Sequence, residues 1–189
     1  MIIRQATAAD GVQVAPLINI VFDEMEIPSL MKMADKDVFA VFADAFKEAP
    51  YRYSYAHTVV AEEDGEILGI AVGYPGSDEA HIDDAFQPYL HRLGIPEDEK
   101  LFTWPETFPG DWYLDTLAVK ESAQHRGIGS QLLDDTTRRA KEAGLHHVGL
   151  CCDLENPKAQ ALYERHGFVD DGRVQIFDHM YRHMSKQVD

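Results

Sequence analysis

Cysteine is scarce in this chain. There are two, Cys151 and Cys152, and they are neighbours. Disulfide geometry wants Cα atoms ~5.5 Å apart, so adjacent cysteines are poorly placed to pair. This excludes a disulfide-stapled scaffold and leads to the expectation of a reduced, cytoplasmic protein. Basic residues are also few. Seventeen Lys and Arg stand against 33 Asp and Glu, a formal net charge of −16. General nucleic-acid binding depends on neutralising phosphates with Lys and Arg, so it is not expected. An acidic surface keeps a chain solvated and can draw in a cationic small molecule. Long apolar runs are absent as well. None approaches the ~20 residues of a membrane span, and "MIIRQATAADG" at the start lacks the apolar stretch of a secretory signal. No membrane partner is therefore expected.

The nine histidines do not form a metal set. His179 and His183 on a strand would lie ~13 Å apart, and His146 and His147 would point to opposite faces. No spacing fits a zinc site, and no metal is expected. The cysteines read as packing residues of a strand rather than nucleophiles.

The remaining pattern predicts one domain over 1–189. "MIIRQAT" reads as a first strand. Thr7 and Asp10 resemble a capping box, followed by a helical stripe of Val12, Leu17, Ile18 and Val21. Ser29 is a candidate cap for a second helix with Met31, Val38, Phe39, Phe42 and Phe46 as its apolar positions, stopped by Pro50. Thr58–Ala61 and Ile67–Gly73 form a hairpin about Asp64-Gly65. Residues 76–110 look like an insertion, with a short helix from Phe86, Tyr89, Leu90 and Leu93 that Gly94 ends. "DWYLDTLAV" (111–119) is a strand. A helix then runs to Ala143, with Leu132, Thr136, Ala140 and Ala143 supplying most of its buried face. "HHVGLCC" is a strand, Asn156-Pro157 opens another helix, and two strands follow at roughly 168–177 and 179–185. The order is β-α-α-β-β-(insertion)-β-α-β-α-β-β, an α/β (α+β) domain with a mixed sheet.

"QHRGIGSQLL", Gln124 to Leu133, carries the chemistry. A helix N-terminus presents unpaired N–H groups and about half a positive charge, so it can hold phosphate without basic side chains. Gly127 and Gly129 have no Cβ, which suits a close ligand approach and a tight entry into the helix. His125 and Arg126 add local positive charge. On these residues alone, a plain glycine turn remains open. A P-loop is excluded because no Gly-Lys-Ser/Thr follows. A dinucleotide fingerprint would need a small residue at Leu132, with Asp153 as the ribose-binding acid, which keeps a nucleotide-dependent oxidoreductase in view.

Two segments together resemble the GCN5-related N-acetyltransferases, the GNAT family. Q-x-x-G-x-G at Gln124 to Gly129 is similar to that family's acetyl-CoA loop. N-x-x-A-x-x-L-Y-x-x-x-G-F is matched at Asn156, Ala159, Leu162, Tyr163, Gly167 and Phe168. The resemblance is strong over about 112–172 and weak in the insertion. It implies a mixed, mostly antiparallel sheet flanked by helices, with a V-shaped splay between the fourth and fifth strands. It implies acetyl-CoA as cosubstrate, its pyrophosphate wrapped by the backbone of His125, Arg126, Gly127, Ile128, Gly129 and Ser130. The pantetheine arm would pair with the free edge at Leu117, Ala118 and Val119, much as an added strand would. The backbone N–H near Leu117 would polarise the thioester carbonyl. Asn156 would bond to the pantetheine region while capping its helix, and Lys158 would touch phosphate. Tyr163 would protonate the departing thiolate.

An amine acceptor must lose a proton before it attacks. Asp115 shares a strand face with Tyr113 and is the candidate base, with Glu106 second. The expected activity is direct acetyl transfer to a primary amine, on a small molecule or a peptide. The alternative from another class is a non-catalytic acyl-CoA sensor module. The 25–55 segment and the insertion, with Phe86, Tyr89, Trp104 and Phe108, are expected to shape the acceptor pocket, and the last strands offer a surface for a homodimer.

Overall fold

The structure is a computed structural model that describes residues 1–96 and 98–188; Glu97, inside the expected 76–110 insertion, and Asp189 lie outside the described residues. Seven strands form one sheet in the order β1-β2-β3-β4-β5-β7-β6. They are β1 Ile2–Gln5, β2 Thr58–Glu63, β3 Glu66–Pro75, β4 Asp111–Val119, β5 His147–Asp153, β6 Val169–Ile176 and β7 His179–Gln187. The four α-helices are α1 Gly11–Met25, α2 Asp35–Ala45, α3 Ile128–Glu142 and α4 Pro157–Arg165. All strand pairs are antiparallel except β4 with β5.

The hairpin forms as its sequence dictates. Asp64 (φ 52°) and Gly65 (φ 83°) both take the left-handed conformation that a two-residue turn requires. The strands on either side run further than Thr58–Ala61 and Ile67–Gly73. At the N-terminus the Asp10 carboxylate accepts the Thr7 backbone N–H at 2.7 Å, as the capping-box pattern predicts.

One face of the sheet carries α1, α2 and the insertion. Phe22, Phe42, Tyr51, Tyr53, Phe86 and Phe102 meet there in a buried aromatic cluster. Phe86 stacks on Tyr51 at 4.7 Å and on Phe42 at 5.2 Å. Each such ring pair contributes about 0.5–1.5 kcal/mol beyond the burial itself. The opposite face packs Ile128, Leu132 and Leu133 of α3 against Leu114, Val148 and Leu150 of the strands.

Four local expectations are corrected. Val12 is exposed, because α1 turns its Val14, Leu17 and Ile18 side to the sheet. The second helix begins at Asp35, after Ala34, and not near Ser29; Met31 is exposed in the preceding turns. Ala143 caps α3 from solvent, and Ile128 and Leu133 take its place in the buried face. The helix expected in the insertion is a 3₁₀ segment, Asp84–Leu93, containing Pro88 and ended by Gly94 at φ 68°. Its buried residues are Phe86, Leu90 and Leu93.

Candidate active site

The site begins where two strands part. β4 and β5 pair in parallel only from Asp111 opposite His147 to Leu114 opposite Leu150. Beyond that point β5 continues along β7, from Cys151 opposite His183 to Asp153 opposite Tyr181. Residues 116–119 of β4 keep their pairing with β3 but have no β5 partner. Their free edge opens the V-shaped split. A bulge sits at its apex. Val72 faces Thr116 and Gly73 faces Leu114, so Asp115 is the extra residue of β4. A bulge of this kind bends its strand and re-aims the side chain it carries.

A groove of about 790 Å³ runs from the split to the start of α3. Leu117, Ala118 and Val119 form one wall, and Asn156, Lys158 and Tyr163 of the α4 region form the other. Gln124, His125, Gly127, Ile128, Gly129 and Ser130 close its far end. His125 (φ 62°) and Gly127 (φ 78°) both lie in the left-handed region. Left-handed residues in such a turn aim successive backbone N–H groups into one concavity, which suits an anion. Twelve of the thirteen expected cosubstrate residues therefore line one groove. Arg126 is the exception. Its guanidinium holds Glu63 at 2.7 Å, across the hairpin end, and its side chain is not on the groove wall.

The Asn156 side chain accepts the Ala159 N–H at 3.0 Å, so it caps α4. His166 at the end of α4 meets the Ser130 hydroxyl at 3.0 Å, which fixes the two helices that flank the groove.

Tyr163 stands where the groove meets a second, smaller cavity of about 130 Å³ on the α1 side of the split. The residue is 9% exposed. Among the described residues its hydroxyl makes no hydrogen bond, and burial, followed by repulsion from Cys152 and Glu24, holds its pKa well above the ordinary tyrosine value. It stays protonated and has a proton to give.

Asp115, Tyr113 and Glu106 all line that second cavity. Asp115 is held from several directions: Arg52 Nη1 and the Tyr74 hydroxyl both donate to its Oδ2 at 2.9 Å, and the Thr116 hydroxyl donates to Oδ1 at 3.0 Å. Arg52 is 2% exposed and also bonds Asp83 at 2.9 Å and Glu106 at 3.5 Å. Its guanidinium lies 4.8 Å over the Phe102 ring. One buried cation thus serves three carboxylates, and Glu106 receives its longest contact. Tyr113 donates to Glu106 Oε2 at 2.7 Å. Burial, with Asp115 adding to it against the pull of Arg52, raises the Glu106 carboxyl from 4.5 to about 7.

Cys151 and Cys152 are free thiols whose pKa values burial raises to about 12 and about 11, which fits packing and not nucleophilic attack.

Sequence reasoning did not find Arg52, Tyr74 or Glu24. The only local mark on Arg52 is its place inside the aromatic run "YRY". Its carboxylate partners lie 31, 54 and 63 residues away.

A free strand edge thus leads from a helix N-terminus to a buried cavity lined by carboxylates and tyrosines. The family model described as "Acetyltransferase (GNAT) family" matches residues 26–168. The chain belongs to the GNAT acetyltransferase family, and it is an acyltransferase. It is 26% identical over 90% of its length to an uncharacterised N-acetyltransferase of Bacillus subtilis, YhfO, 91% of which is covered. A crystal structure of an acetyltransferase shares 40% identity at a TM-score of 0.88, with both chains fully covered. That of an N-acetyltransferase from Staphylococcus aureus Mu50 shares 26% identity at a TM-score of 0.88, covering 98% of this chain and all of that one. These findings do not favour the sensor or the oxidoreductase reading.

Proposed function

We propose that this enzyme moves an acetyl group from acetyl-CoA directly to a primary amine held in the small cavity beside β4. The observation that carries the reading is the position of Tyr163, buried and protonated at the junction of the long groove and that cavity. The groove fits the cosubstrate on two counts: a free strand edge for an extended arm, and a left-handed turn at a helix N-terminus for a diphosphate. Bound there, acetyl-CoA supplies the acetyl group as a thioester.

The chain's own residues then have distinct tasks. Leu117, Ala118 and Val119 orient the arm through their backbone, and the Leu117 N–H serves the carbonyl oxygen. Glu106 accepts the proton that an ammonium must lose. A base works best when its pKa lies near the working pH, and Glu106 meets this where an ordinary carboxylate does not. Asp115, the base expected from strand alternation, is occupied by Arg52 and Tyr74. We assign it a positioning role. Tyr163 gives its proton to the leaving sulfur. The new C–N bond forms as the C–S bond breaks. The amine's protons leave toward Glu106 and solvent. Most of the acceleration comes from holding the partners in register.

Residues 76–110 contribute Glu106 to the cavity wall and Asp83 to Arg52, while Phe86, Tyr89, Trp104 and Phe108, expected to shape the pocket, do not line it. The free thiols of Cys151 and Cys152 support the expected reducing, cytoplasmic setting. The direct test is thiol release from acetyl-CoA across a panel of primary amines, with calorimetry of CoA binding alongside. Binding without thiol release from any amine would overturn the proposal.

A further inference from the structure

The acceptor cavity is lined by four carboxylates and no Lys, Arg or His. They are Glu24 of α1, Glu106, Asp115 and Asp153. Asp115 and Glu106 share Arg52, which lies behind them and does not line the cavity. Glu24 and Asp153 have no such help. Among the described residues no Lys or Arg forms an ion pair with either carboxylate; His179 stands 3.8 Å from Asp153 Oδ2, and Arg182 donates to the Asp153 backbone carbonyl at 3.3 Å rather than to its carboxylate. Asp153 Oδ1 accepts the Glu155 backbone N–H at 2.7 Å. Asp153 repels Glu24 enough to add to the burial that raises the Glu24 carboxyl. A cation placed between them relieves that repulsion.

The acids do not stand alone. The Tyr163 hydroxyl, on a side chain nine-tenths buried and without a hydrogen-bond partner among the described residues, borders the same cavity. Tyr53, Tyr113 and Tyr181 add aromatic walls, and ring faces attract ammonium groups. A substrate carboxylate would meet four acidic side chains and no cation on the cavity wall, an unfavourable juxtaposition of like charge.

We propose that the acceptor is a short aliphatic diamine: one nitrogen is acetylated near Glu106 and Tyr163, while Glu24 and Asp153 hold the other as an ammonium. This rests on the proposed acetyl transfer and narrows its acceptor. The four acids line one cavity, so the charge pattern selects against α- and ω-amino acids as well as against neutral amines.

The test uses matched acceptors of equal chain length, from three to six carbons: a diamine, the monoamine, and the amino acid with its carboxylate at the far end. Thiol release from acetyl-CoA is followed with the full chain. The diamine should exceed the monoamine by about 100-fold in kcat/KM, mainly through KM, and the amino acid should be slower still. Glu24→Gln combined with Asp153→Asn should lower kcat/KM for the diamine at least about tenfold more than for the monoamine. In the unaltered enzyme, raising salt should increase KM for the diamine and leave the monoamine nearly level, which serves if the variant folds poorly. Equal use of monoamine and diamine, or preference for the amino acid, overturns the diamine assignment and leaves acetyl transfer standing. Absence of thiol release with every amine, CoA still binding, overturns both.

Discussion

Arg52 Nη1 lies 2.9 Å from Asp115 Oδ2 and 3.5 Å from Glu106 Oε1, so the buried guanidinium is divided unequally between two carboxylates of one cavity. On the proposed mechanism this division leaves Glu106 the freer of the two carboxylates. Asp115→Asn should release Arg52 toward Glu106 and remove a like charge, lowering the Glu106 pKa. Loss of Arg52, as in Arg52→Met, should raise it. The acid limb of the kcat/KM–pH profile should therefore move in opposite directions in the two variants. Limbs that move together, or stay at the unaltered position, would count against the shared-cation account. Arg52→Met should also cost about 3–5 kcal/mol of stability, because it strands buried charges.

Glu106→Gln should lower kcat by about 10²–10⁴-fold and remove that acid limb. Stability offers an independent check. The Glu106 carboxyl rises from 4.5 to about 7 on folding, so in that window the folded chain keeps a proton that the unfolded chain has released. Rising pH through the window must subtract stability, and the loss is complete above the upper value. Thermal melts should show Glu106→Gln gaining on the unaltered protein between about pH 4.5 and about pH 7. A constant difference would mean that Glu106 ionises as an ordinary surface carboxylate.

Tyr163→Phe should lower kcat by about 100-fold while the CoA Kd changes by less than about twofold. Burial holds the Tyr163 proton in place, so activity should show no tyrosine limb up to about pH 10. Unchanged turnover in the variant would remove the acid role.

At the diphosphate end, Gly127→Val forces a branched side chain into a φ of 78°, a strain of about 1–2 kcal/mol. It also puts methyl groups where the ligand must approach the backbone. CoA binding should be lost. Arg126→Ala should leave CoA affinity within about threefold, because that guanidinium is committed to Glu63 in a solvent-screened pair. Calorimetry on both variants separates backbone from side-chain recognition; a large loss with Arg126→Ala would favour the side chain.

Phe86→Ala should cost about 3–5 kcal/mol, since its ring is buried between Tyr51 and Phe42. Urea denaturation would measure it. A small effect would show that the 3₁₀ segment packs only loosely on the helices.

Local signals in the sequence survived folding wherever a short stretch decided its own conformation. Asp64-Gly65 made its turn, Asn156-Pro157 started its helix, and Gly94 took a left-handed angle at the end predicted for it. The loop from Gln124 to Ser130 is of the same kind, because its chemistry is that of its own backbone. Signals failed where neighbours in space had the last word. Val12 lost its place to the angle at which α1 meets the sheet, and Ser29 gave way to Asp35 as the region where α2 begins.

The base is the clearest case. Period-two alternation put Asp115 on the correct wall, but a sequence carries no record that Arg52 and Tyr74 would fold over it. Nor does it say that Glu106, from an irregular Pro-rich stretch, would be buried beside them with the weaker share of the cation. The sequence by itself determined the succession of strands and helices along the chain, the left-handed glycine turn before α3 and the family, since each rests on contiguous residues at fixed spacing. Only the tertiary structure decided which carboxylate is charged at a given pH, because desolvation and a shared guanidinium are properties of residues brought together from 31 to 63 positions apart.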